Sequence, residues 1–141
     1  MKKTIATIAT VFALVFGLNA SAAESANPLK KLDSKEIALT YLQAISTGNT
    51  EYNKYLYTSD FEYSNAINNQ TFGRSQYLAF LNANKGLVYN CKTTYEIMDQ
   101  TGNTAIGKAT MKFEKFTRID YITMVQSAEG WKVSKVVTTY P

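Results

Sequence analysis

From Leu87 onward the chain has a two-residue period, and this constrains its fold more than anything else in it. Leu87, Tyr89, Cys91, Thr93, Tyr95 and Ile97 alternate with Val88, Asn90, Lys92, Thr94, Glu96 and Met98, the pattern of a strand with two chemically distinct faces. Gly102-Asn103 predicts a turn, Ala105 to Phe113 a returning strand, Ile119 to Gln126 a third, and Glu129-Gly130 a turn into Trp131 to Thr138. Strands joined by such short turns pair antiparallel, so a four-stranded meander is expected.

Before Leu87 the period is helical. Asp33, with Glu36 three positions on, has the form of a capping box, and Ile37, Ala38, Tyr41, Leu42, Ala44 and Ile45 make one apolar stripe that ends at Gly48. A short second helix is expected from Thr50 to Tyr57, with Tyr52, Leu56 and Tyr55 inward. A small hairpin is expected from Phe61 to Ser64, turning through Asn65 to Gln70 and returning at Thr71 and Phe72. A third helix, capped by Ser75, would carry Tyr77, Leu78, Phe80 and Leu81 inward, reach Asn84 and stop at Gly86. Helices first and a meander afterwards define an α+β fold, with helices packed on one face of a curved antiparallel sheet. No repeat or linker interrupts residues 33–141, which read as a single domain.

At the N-terminus, Lys2 and Lys3 precede an uncharged run of 14 residues, Ile5 to Leu18, and then Ala20-Ser21-Ala22. This is the order of a secretory signal peptide, and the run is shorter than a membrane span requires. Cleavage is expected after Ala22 or one position later, removing residues 1–22 and leaving a short lead-in, 23–32, that contains Pro28. The mature protein is then expected to be periplasmic or secreted, with no stable membrane anchor. The leader takes two of the 15 basic residues, which against 11 acidic ones leaves a net charge of +2. The charges are scattered and no nucleic-acid-binding motif is present, so no nucleic-acid partner is expected.

The inventory of reactive side chains is short. There is no histidine, which removes imidazole acid/base work and histidine metal ligands. The one cysteine, Cys91, cannot form an intrachain disulfide. No carboxylates cluster, and the glycines form no phosphate-cradling loop, so neither a metal nor a cofactor is expected.

The order of segments resembles the nuclear transport factor 2-like superfamily, which includes SnoaL-like members, and most closely its exported branch labelled as lumazine-binding. The residues that carry the resemblance are Ala38-Leu39-Thr40-Tyr41-Leu42-Gln43-Ala44 with Gly48-Asn49, Tyr55-Leu56-Tyr57-Thr58-Ser59-Asp60-Phe61, and Gly73-Arg74-Ser75-Gln76-Tyr77-Leu78-Ala79-Phe80-Leu81. Asp120-Tyr121-Ile122-Thr123-Met124 and Glu129-Gly130-Trp131-Lys132-Val133 complete them. The resemblance implies a cone-shaped fold, a pocket between helix and sheet, and frequent dimerisation through the sheet. It also implies that Asp60 ends the second helix and caps a turn.

Asp120 is the candidate acid/base, because strand parity puts this carboxyl with Ile122 and Met124 on an apolar face. Compensation by Arg118, two residues away on the same face, or by a cross-strand Lys is the competing reading, and such a pair would be worth little if it were exposed. Ten tyrosines are available. Tyr41, Tyr55, Tyr63, Tyr77, Tyr89, Tyr95 and Tyr121, with Trp131, are candidates for lining a pocket suited to a flat or amphipathic molecule. Three functions remain open: a non-catalytic exported module binding a small hydrophobic or aromatic ligand or a protein partner, a SnoaL-like isomerase, cyclase or hydratase using Asp120, and a structural homodimer joined through the sheet.

Overall fold

The computed structural model describes residues 26–141, so the expected leader lies outside the described residues. Helix α1 spans Ser34–Thr47. Its N-terminus is closed by a reciprocal pair: the Glu36 amide donates to Asp33 Oδ1 at 2.8 Å, and the Asp33 amide donates to Glu36 Oε2 at 2.9 Å. The predicted stripe is buried throughout. The helix stops at Gly48, whose φ of 67° is left-handed. A Cβ there would lie 2.6 Å from the backbone nitrogens of Gly86 and Leu87, so only glycine fits.

Helix α2 covers only Asn53–Leu56, shorter than the expected Thr50 to Tyr57. Tyr57 turns extended because β1, Tyr57–Asn65, begins there and pairs with the last strand. Asp60 consequently sits exposed within β1 and ends no helix. Strand β2, Gln70–Gly73, returns antiparallel to β1 as the expected hairpin, through a turn in which the Asn65 and Asn68 side chains accept from the Ile67 and Gln70 amides.

Helix α3 spans Arg74–Ala83. Its first turn is tied by the Gly73 amide donating to Gln76 Oε1 at 3.2 Å, where Ser75 was the expected cap. Tyr77 is buried and Leu78 and Leu81 are half-buried, whereas Phe80 is 56% exposed: the stripe is narrower than the sequence suggests.

The meander comprises β3 (Lys92–Thr101), β4 (Thr104–Lys112), β5 (Thr117–Ser127) and β6 (Gly130–Thr139). The expected strand from Leu87 to Cys91 is absent. The Tyr89 amide donates to the Ser46 carbonyl at 2.7 Å, which draws this stretch over the end of α1, and the β3–β4 ladder begins only at Lys92 opposite Lys112. Strand β1 adds to β6 in parallel, so the sheet has six strands in the order β2-β1-β6-β5-β4-β3. Parallel pairing needs partners far apart in sequence, and no short turn announces it.

The inner face carries Ala105, Ala109 and Met111 of β4, Asp120, Ile122 and Met124 of β5, and Trp131, Val133, Val136 and Thr138 of β6, all buried. Small residues on β4 let α1 lie close, and a Cβ on Gly107 would stand 3.6 Å from that of Ala38. Each fully buried Leu-, Ile- or Val-sized side chain here contributes about 1.5–3 kcal/mol. The helices and the curved sheet enclose a cone whose open end lies near the last residues of β1 and β6 and the start of β5.

Candidate functional site

Beneath that open end lies a buried polar cluster. Asp120 has no exposed surface, yet four donors converge on its two oxygens. Arg118 reaches both, Nε to Oδ1 at 2.9 Å and a terminal nitrogen to Oδ2 at 3.0 Å. The Tyr41 hydroxyl donates to Oδ2 at 2.7 Å and the Thr138 hydroxyl to Oδ1 at 2.7 Å. The geometry follows from parity and register: Arg118 precedes Asp120 by two on β5, Thr138 is its partner on β6, and Tyr41 descends from the α1 stripe.

Burying a charge is costly unless it is paired and hydrogen-bonded, and here both conditions hold. Burial works against the Arg118 charge, but the adjacent Asp120 carboxylate outweighs it and holds the guanidinium pKa above its ordinary value. Burial first, and then Asp120, push the Tyr41 hydroxyl well above the usual phenol range. The Tyr77 hydroxyl is raised by the same causes and lies 3.4 Å from that of Tyr41, a long contact. Close by, the Tyr57 hydroxyl is buried beside that of Tyr77, and among the described residues no polar atom meets full hydrogen-bond geometry with it.

Over this cluster opens a cleft of about 550 Å³, lined by Tyr63, Asn65, Gln70, Phe72, Gln76, Tyr77, Phe80, Arg118 and Tyr140. One wall is a stack of rings: Tyr77 on Tyr63, with centroids 5.0 Å apart and planes at 16°, and Tyr63 on Phe72 at 6.1 Å and 24°. Burial raises the Tyr63 phenol pKa as well. The hairpin, α3, the start of β5 and the residue after β6 each supply part of the lining, so the site depends on the folded cone.

Of the expected pocket residues, Tyr63 and Tyr77 line this cleft, and Tyr41 and Asp120 lie one layer below. The others stand elsewhere. Tyr55 lies on α2 with Lys54 Nζ 4.8 Å from its ring centre. Tyr89 packs on Phe113 at 5.8 Å. Tyr95 is on β3, Tyr121 has the opposite parity to Asp120 and so points to the outer face, and Trp131 is buried at the far end of β6. Asn65, Gln70, Phe72, Gln76, Phe80 and Tyr140 line the cleft without being expected there from the sequence, and Arg118 is expected only as a partner of Asp120. Alternation in the short hairpin was the one available signal, for Tyr63 and Phe72 are register partners. Among the described residues no three His, Cys, Asp or Glu side chains could hold a metal.

A family described as "putative lumazine-binding" matches residues 33–139. The chain belongs to that family. Solved structures similar to it include an NTF2-like protein of unknown function from Silicibacter pomeroyi, 11% identical, covering 75% of this chain and 91% of that one with a TM-score of 0.61. An NTF2-like protein from Cytophaga hutchinsonii is 15% identical, with 78% and 100% covered and a TM-score of 0.61. An uncharacterised protein with a cystatin-like fold from Caulobacter vibrioides is 16% identical, with 75% and 85% covered and the same TM-score. At these identities the likeness establishes the NTF2-like α+β fold and nothing of function. No curated protein matches the chain.

Proposed function

We propose that this family member is an exported, non-catalytic module that binds a flat aromatic small molecule in the cleft. The carrying observation is the ring stack of Tyr77, Tyr63 and Phe72 facing a polar floor at Arg118 inside about 550 Å³. Ligand sites typically combine apolar walls with a few placed polar groups, within a volume of about 300–1,000 Å³. The family description supplies the first ligand to try, lumazine, a bicyclic heteroaromatic of suitable shape.

The geometry around Asp120 disfavours a catalytic role for it. A general base must reach the proton it takes, and both oxygens of Asp120 are occupied by four donors beneath the cleft floor.

Titration calorimetry with lumazine should give saturable binding to the wild type and a loss of affinity in Phe72→Ala and Tyr63→Ala. No binding at millimolar lumazine or other neutral bicyclic heteroaromatics would overturn the reading.

Export rests on the leader, and the mature protein recovered from the envelope or medium should begin at Ala23 or within two residues of it. Recovery there of a chain starting at Met1 would refute cleavage. Homodimerisation through the outer sheet face is supported by half-exposed Ile106, Tyr121, Val125 and Val137 on neighbouring strands. Light scattering at tens of micromolar should give twice the monomer mass, and a monomer mass would remove this element.

A further inference from the structure

The floor of the cleft holds a charge that is already balanced. Arg118 is the one lining residue charged at neutral pH; the others are phenols, phenyl rings and the amides Asn65, Gln70 and Gln76. Two of its five N–H donors are spent on Asp120, which has no exposed surface and cannot turn to another partner. A ligand entering the cleft therefore meets an ion pair of zero net charge. It also meets guanidinium N–H groups directed neither to Asp120 nor to Thr138, and the side-chain NH2 groups of Asn65, Gln70 and Gln76, whose oxygens each already accept one hydrogen bond and keep a second lone pair.

An anion is poorly served by this arrangement. Leaving water for a partly enclosed aromatic site is costly for a carboxylate or phosphate unless a free opposite charge awaits it. Here the guanidinium field is cancelled by a carboxylate in direct contact. An uncharged ring with carbonyl and ring N–H groups in its plane loses little hydration. Its edge finds donors and acceptors while its apolar body lies against the aromatic wall that Tyr63 and Phe72 contribute to the cleft.

Resting on the reading of the cleft as a binding site, we propose that it selects uncharged, hydrogen-bonding flat heteroaromatics against anionic ones, and that Asp120 sets this selectivity by neutralising Arg118. Asp120 is in this sense a positioning residue, acting through Arg118 without touching the ligand.

The test is a pair of ring-matched probes, lumazine and 6-carboxylumazine, titrated against the full protein at neutral pH. The wild type should bind the uncharged probe at least about tenfold tighter, the scale of an unmatched charge in a partly hydrated site. Asp120→Asn frees the Arg118 charge and should narrow or reverse the ratio; loss of stability alone would weaken both probes together. Gln70→Lys, at an exposed position on β2, adds a positive charge while leaving the pair intact, and should move the ratio the same way in a protein that keeps its fold. Equal or tighter wild-type binding of the carboxylate would overturn the proposal and leave the cleft reading standing. So would an unchanged ratio in folded Asp120→Asn or in Gln70→Lys. Binding of neither probe would overturn the cleft reading and this inference with it.

Discussion

Arg118 and Asp120 stand two residues apart on β5 and form a two-pronged ion pair whose carboxylate is wholly buried while the guanidinium keeps 13% of its side chain exposed at the cleft. The asymmetry sets what each substitution should do.

Arg118→Met should destabilise the protein by about 3–5 kcal/mol, because it strands a buried carboxylate that only two hydroxyls then satisfy. Asp120→Asn keeps the shape and leaves a guanidinium that can still reach water in the cleft, so it should cost less. Urea denaturation of both variants checks the order, and an equal or reversed order would contradict it. The small cost expected of an exposed pair does not apply here, since Asp120 is fully buried.

Two tyrosines in the same core should respond oppositely to losing a hydroxyl. Tyr41→Phe removes a 2.7 Å donor from Asp120 and should cost about 1–3 kcal/mol. Tyr57→Phe removes a buried hydroxyl that lies beside Tyr77 without meeting full hydrogen-bond geometry with any described residue, and should be neutral or stabilising. The rings are retained in both, so the difference in unfolding midpoint isolates the hydroxyls. A costly Tyr57→Phe would show that its hydroxyl has a partner after all.

Much of this core was legible in advance because it follows from periodicity. The capping box at Asp33, the α1 stripe, the stop at Gly48 and the four-stranded meander all derive from local spacing, and parity alone put Arg118, Asp120, Ile122 and Met124 on one face. What escaped was set by distant partners. Leu87 to Cys91 alternates well but has no strand beside it, and Tyr57 leaves its helix for a strand some 75 residues away in sequence, at Val133. The cleft was hardest to see, because its lining comes from four separate segments, and the tyrosine count and the alternation in the short hairpin say nothing of how those segments meet. Alternation tells which side of a strand a residue faces, not what lies over it.

At Gly48 local geometry and packing make the same demand. The left-handed φ of 67° disfavours any side chain by about 1–2 kcal/mol, and a Cβ would also collide with the Gly86–Leu87 backbone. The Gly86 amide donates to the Gly48 carbonyl at 2.9 Å, so the collision would loosen the contact between the end of α1 and the segment after α3. Gly48→Ala should therefore cost more than 2 kcal/mol, whereas Gly102→Ala, also at positive φ but in open space, should cost only the conformational part. Thermal unfolding of the two alanine variants tests this, and equal losses would remove the packing contribution.

The buried phenols predict alkaline sensitivity. Burial raises the pKa of Tyr41, Tyr57 and Tyr77 above the ordinary phenol value, with Asp120 adding to the shift of Tyr41 and Tyr77 and the Tyr77 hydroxyl to that of Tyr57. The folded state then holds these protons more tightly than the unfolded state. For such groups the stabilisation is complete below the unfolded pKa, near 10, and is lost as pH rises from there toward the folded values. Each proton contributes a slope of about 1.4 kcal/mol per pH unit, so three would make stability fall by up to about 4 kcal/mol per unit above pH 10. Urea midpoints between pH 8 and 11.5 should be flat at first and then drop steeply. Tyrosinate absorbance should show three of the ten tyrosines titrating only with unfolding. Tyr57→Phe should reduce the alkaline slope by about one proton's worth while leaving stability near neutrality unchanged or raised, and a slope unaffected by that substitution would contradict the burial of its hydroxyl.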